Sequence, residues 1–138
     1  MPLPPDVLAT SEPEQQVQVG DVWWIPADLV DYPDEKQKAR FCLVVALELA
    51  VGSQQLVRAH YVAGSTRKSS RPRIVTEPGE ANLVERTYFK FWFSSSIPIP
   101  KLIARGKLRG RVGLERKAEI GPAIRASKLM ALKRLVGC

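Results

Sequence analysis

The segment from Phe41 to Val62 constrains the fold more than any other part of the chain. The run Phe41-Cys42-Leu43-Val44-Val45-Ala46-Leu47 is apolar and rich in β-branched residues, and a strand is expected from about Phe41 to Leu49. Gly52-Ser53 supplies a turn. From Gln55 to Val62 the chain then alternates, with Leu56, Arg58, His60 and Val62 set against Val57, Ala59, Tyr61 and Ala63. Two such runs around a glycine turn pair as an antiparallel hairpin. One face of the second run holds most of its polar groups, and His60 shares that face with Arg58.

The flanking segments extend the pattern. Gly20-Asp21 opens a short strand, Val22-Trp23-Trp24-Ile25, and Ile74 to Thr76 makes another. Pro78-Gly79 turns the chain into an aromatic strand from Arg86 to Phe93, most of whose rings are expected in the core. Ile97-Pro98-Ile99-Pro100 is punctuated by proline and suits a sheet edge. From Lys101 to Lys117 there are seven basic residues against the single acid Glu115, with Gly106, Gly110 and Gly113 between them. So much glycine reads as a short strand and turns. Glu115 to Val136 has helical spacing, with Ile120, Ala123, Ile124, Met130, Ala131 and Leu135 as its apolar stripe and a break at Pro122. The predicted class is mainly β with a C-terminal helix (α+β), a small barrel-like fold and not a parallel sheet.

With 138 residues the chain makes one domain, read as residues 19–138, behind an acidic, Pro-rich tail at residues 1–18 that cannot offset its ordering entropy. The net charge of +7 conceals an asymmetry. The first 19 residues hold Asp6, Glu12 and Glu14 and no Lys or Arg, so the remainder carries +10. Such a surplus favours an anionic partner, with nucleic acid first. Cys42 and Cys138 form no disulfide framework; Cys42 is expected as a small core residue and Cys138 as a frayed tail thiol. No apolar run of about 18 residues is present, and the expected state is soluble and cytoplasmic. One histidine and two distant cysteines give no metal-ligand spacing, so no metal or other cofactor is expected.

Arg40 is the leading candidate for chemistry. It stands where the polar loop Asp31 to Lys38 turns into the apolar run, so its guanidinium is mounted at the mouth of a buried strand. An arginine keeps its charge near neutral pH and offers a planar fork of donors that suits phosphate. The cluster Gly64-Ser65-Thr66-Arg67-Lys68 follows the next strand, where the hairpin brings it beside Arg40. Arg67, Lys68 and Arg71 on that loop, and Arg105, Lys107 and Arg109 on the glycine-rich segment, are candidate contacts to nucleic-acid phosphates.

The order Val19-Gly20-Asp21-Val22-Trp23-Trp24, then Arg40-x-x-Leu43-Val44-Val45, then Val62-Ala63-Gly64-Ser65-Thr66-Arg67-Lys68, then a basic segment from Leu102 to Val112 before a terminal helix, resembles the MazF/PemK toxins of bacterial toxin–antitoxin systems. The resemblance spans roughly residues 19–135. It implies an SH3-like barrel of the MazF/PemK/CcdB type that dimerises, cuts single-stranded RNA without a metal, and is silenced by an acidic antitoxin protein. It also implies catalytic positions at Arg40 and at Ser65 or Thr66. The chain departs from the family pattern at Phe41, where proline is usual, and has no histidine between Ala27 and Ala39. Asp31, Asp34 and Glu35 remain as substitutes in that loop. Two other functions fit the same residues: a non-catalytic RNA- or peptide-binding barrel, and a protein-interaction toxin of the gyrase-poisoning kind.

Overall fold

A computed structural model describes residues 17–30, 39–53, 55–68, 73–127, 130–135 and 137, with the backbone alone for Trp92, Phe93, Met130 and Ala131. Its strands are β1 (Asp21–Ile25), β2 (Arg40–Leu49), β3 (Leu56–Ser65), β4 (Arg73–Thr76), β5 (Thr87–Pro98) and β6 (Lys107–Arg111). Helix α1 (Ile99–Arg105) joins β5 to β6, and α2 (Leu114–Ala126) and α3 (Met130–Leu135) close the chain. All six strands form one antiparallel sheet in the order β4-β5-β3-β2-β1-β6, curled into a half barrel. The mainly β, barrel-like α+β class expected from the hairpin pattern is the class observed.

Alternation along the strands sorts their side chains onto two faces. Val22, Leu43, Val45, Val62, Ile74, Phe89 and Phe91 point one way, where Ile120 and Ile124 of α2 and Leu132 of α3 cover them. Trp23, Ile25, Cys42, Val44, Ala59, Tyr61 and Ala63 point the other way, under Ile99 and Leu102 of α1 and under Val17 and Val30. Each fully buried aliphatic or aromatic side chain contributes roughly 1.5–3 kcal/mol, so these two layers set the strand register. Cys42 is buried as a free thiol.

The edge strands are linked through a turn. After β4 a 3-10 segment, Glu80–Asn82, reaches β6, where Asn82 Nδ2 donates to the Arg109 carbonyl at 3.0 Å and Arg109 Nε donates to the Asn82 carbonyl at 2.8 Å. Gly110 permits this approach, since a Cβ there would lie 2.5 Å from the Ala81 carbonyl oxygen. Ala81 itself sits in the left-handed region at φ 51°, which costs an alanine on the order of 1 kcal/mol and persists where packing over-determines it.

Two ionic groups tie the remaining segments down. Asp21 is fully buried; its Oδ2 accepts from the Gln18 N–H at 2.9 Å and from Trp23 Nε1 at 3.2 Å, and its Oδ1 accepts from Arg111 Nε at 2.8 Å. Arg116 of α2 donates to Glu80 at 3.0 Å and to Glu119 at 3.0 Å, fixing the helix to the linking turn. The Arg116 guanidinium holds the Glu80 carboxyl below the usual glutamate range, and Glu80, with Glu119 next, strengthens the charge on Arg116.

Several boundaries differ from the sequence reading. Ile99–Arg105 is a helix, because Pro100 sits in its first turn, where proline lacks no needed donor, and Gly106 ends it. The C-terminal helix runs unbroken through Pro122, since buried Ile120 and Ile124 on either side hold the segment to the sheet. The break falls instead at Ser127, whose hydroxyl donates to the Ile124 carbonyl at 2.6 Å. Leu132 is buried in the stripe and Leu135 is exposed, the reverse of what unbroken spacing gives. Val17, inside the expected tail, is buried, while residues 1–16 and Cys138 lie outside the described residues.

Candidate functional site

Hairpin register brings the sequence-predicted groups together. Cys42 faces Ala63 as the last pair of the β2–β3 ladder at this end, and Arg40 and Ser65 each lie two positions beyond that pair on their strands. Arg40 Nη1 reaches the Gly64 carbonyl at 3.5 Å. Arg40, Ser65 and Thr66 share one open depression of about 200 Å³ with Ala39, Phe41, Gly64 and Thr87. Gly64 lines it and admits no side chain: a Cβ there would stand 2.7 Å from Thr87 Cγ2, 2.9 Å from Phe89 Cε1 and 3.0 Å from the Phe41 carbonyl oxygen.

The hydroxyls at the rim are held differently. Ser65 Oγ accepts the Arg67 N–H at 3.0 Å, a local turn that fixes the hydroxyl oxygen and leaves its proton to donate elsewhere. Thr66 is exposed one residue further on. A guanidinium and two alcohols around this depression make a donor-rich cup. Its chemistry suits the non-bridging oxygens of a phosphodiester.

Arg67 and Lys68 are exposed on the loop that leaves β3. Lys107 and Arg109 line a second depression of about 340 Å³, together with Trp24, Phe41 and Leu108, and Phe41 is the wall common to both. Arg105 donates from Nη2 to both carboxylate oxygens of Asp28 at 3.0 Å. Both partners are about half exposed, so the pair is a weak one that a stronger anion displaces at little cost. Arg71, Asp31, Asp34 and Glu35 lie outside the described residues.

His60 is placed elsewhere. Its Nε2 lies 2.9 Å from Glu48 Oε1, and on the same face Arg58 Nε donates to Ser96 Oγ at 3.1 Å. Ser65 lies five positions beyond His60 along β3, roughly 17 Å at about 3.3 Å per residue. Within one chain the imidazole is out of reach of the Arg40 depression. Tyr88, Phe89 and Phe91 of the aromatic strand are buried, as expected for core rings.

Trp24, Phe41 and Thr87 are site residues that sequence reasoning passed over. Trp24 reads as one more core aromatic, and only the pairings Trp24 with Phe41 and Trp24 with Lys107 reveal that it lines a cleft. Among the described residues no group of three or more His, Cys, Asp or Glu side chains is arranged to hold a metal ion. No helix among them is long and apolar enough to cross a membrane. No protein-family profile matches the chain, and neither does any curated protein.

Proposed function

We propose that this protein is an endoribonuclease of the MazF/PemK toxin type, a cytoplasmic homodimer that cleaves single-stranded RNA without a metal and is countered by an acidic antitoxin protein. The observation that carries the reading is the convergence of Arg40, Ser65 and Thr66 on one open depression. In this chemistry the ribose 2′-oxygen attacks the adjacent phosphorus as it loses its proton, and the bond to the 5′-oxygen breaks as that oxygen gains one. The products are a 2′,3′-cyclic phosphate and a 5′-hydroxyl. Arg40 neutralises charge that builds on the phosphoryl oxygens, and Ser65 or Thr66 donates a hydrogen bond that fixes the linkage for in-line attack. The net positive charge of the chain draws the polyanion in.

One observation favours a second reading, a non-catalytic RNA- or peptide-binding barrel. None of the described residues that line the depression carries a carboxylate or an imidazole, so no ordinary proton acceptor stands there. Incubation of the purified protein with mixed-sequence RNA in EDTA separates the readings. Fragments ending in a cyclic phosphate, lost in Arg40→Ala, support the nuclease. Intact RNA with a salt-sensitive gel shift supports the binding module, and intact RNA with no shift leaves a protein target of the gyrase-poisoning kind.

A further inference from the structure

Beside the Arg40 depression lies a niche of different character. Trp24 pairs with Phe41 on one side and with Lys107 on the other, so the three side chains stand in one row on one face of the sheet. A register shift between Val22 and Trp23 adds a residue to β6 at Arg109, and the Arg109 guanidinium lies 5.6 Å from the centroid of the Phe41 ring. Trp24 and Phe41 are each half-buried and line the cleft. An aromatic pair flanked by two cations is what single-stranded nucleic acid stacks on, because every base has a π-face and every nucleotide a negative charge.

Arg109 is held in place before any ligand arrives. Its Nε donates to the Asn82 carbonyl while Asn82 Nδ2 donates back to the Arg109 carbonyl, and the left-handed Ala81 packs against Gly110 next door. Backbone strain at the turn and a reciprocal pair of hydrogen bonds therefore fix a guanidinium over Phe41, which lowers the ordering cost of binding. Phe41 also walls the Arg40 depression.

We propose that the Trp24–Phe41–Lys107–Arg109 niche is a nucleobase subsite, which takes the base of the nucleotide next to the phosphate gripped by Arg40. The inference rests on the ribonuclease reading for the identity of that phosphate. Phe41 lines both depressions, and the base stacks on Trp24 or on the Arg109 plane while Lys107 meets the flanking phosphate. Stacking is sequence-tolerant, so the subsite sets the strand's register in the cleft.

The test uses the full chain and short oligonucleotides with 2′-O-methyl sugars throughout, which bind without being cut. A single abasic position is stepped along the strand and affinity is measured by fluorescence anisotropy. The expected result is a loss of roughly 5- to 150-fold at one position. That penalty disappears in Trp24→Leu and in Phe41→Leu, which keep apolar volume and remove the ring. Lys107→Ala lowers the slope of log affinity against log salt by about 0.7. An abasic penalty unchanged in both Leu variants, or none at any position, overturns the subsite. Should Arg40→Ala abolish cleavage of ordinary RNA while the abasic scan stays flat, the nuclease reading stands and the subsite falls. Should the scan behave as expected with ordinary RNA left intact, the subsite stands and the nuclease reading falls. No binding of any oligonucleotide removes both.

Discussion

The two ends of the β2–β3 ladder carry similar side chains to opposite effect. At the Leu49 end, Glu48 meets His60 and Arg58 meets Ser96, so each polar group is answered by a neighbour on the same face. At the Arg40 end, the guanidinium, Ser65 and Thr66 line one open depression, and a second, lined by Trp24, Lys107 and Arg109, shares Phe41 with it. The polar cluster that closes on itself is structure. The one that lines an open depression is the candidate for chemistry.

The strongest way to break that contrast is a pair of substitutions, one at each end. Arg40→Ala is expected to slow cleavage of a fluorogenic single-stranded RNA by about 10²- to 10³-fold, the usual loss when a donor to transition-state charge is removed. His60→Ala is expected to stay within about twofold of the parent. Equal losses at both ends would erase the distinction.

Asp21 tests a group that is ionic and purely structural. Asp21→Ala strands the Trp23 indole N–H and the Gln18 N–H in a buried setting and leaves Arg111 without its carboxylate. Urea unfolding is expected to show a loss of about 3 kcal/mol, with the catalytic rate of the folded fraction unchanged. Gly64→Ala sharpens the comparison from the opposite side, because its methyl meets Thr87, Phe89 and the Phe41 backbone at once. Overpacking there is expected to cost about 1–3 kcal/mol and to depress RNA affinity together with stability.

The smallest effect belongs to Glu80. Arg116 holds its folded pKa below the unfolded value, so the contribution is complete above the ordinary glutamate pKa of about 4.3 and disappears as pH falls through the folded value. Glu80→Gln is expected to lower stability at pH 7 by about 1 kcal/mol or less. The gap between variant and parent is expected to close in denaturant titrations run below about pH 4. A gap that widens on acidification contradicts the assignment.

How much of this was legible in the sequence follows from the range over which each signal acts. Strands β1 to β5 announce themselves through local runs of β-branched and aromatic residues, and Gly52-Ser53 fixes the hairpin that unites Arg40 with Ser65. Helix α1 was hidden because Pro98 and Pro100 carry the same local signature at a sheet edge and in a helix's first turn. Pro122 misled in the other direction, since the packing of Ile120 and Ile124 outweighs one missing donor. The buried Asp21 and the Trp24 niche depend on partners about ninety residues away in the chain, Arg111 and Lys107 through Arg109. Nothing near Asp21 or Trp24 in sequence distinguishes them from a turn acid and a core ring.

The most direct measurement is an arginine side-chain NMR titration with a short single-stranded DNA, which offers the same phosphodiesters and lacks the attacking hydroxyl. The account predicts saturable shifts at Arg40 Nε–H and at the backbone amides of Gly64 to Lys68, with Arg58 unmoved. Shifts at Arg58 and His60 with Arg40 silent would contradict it.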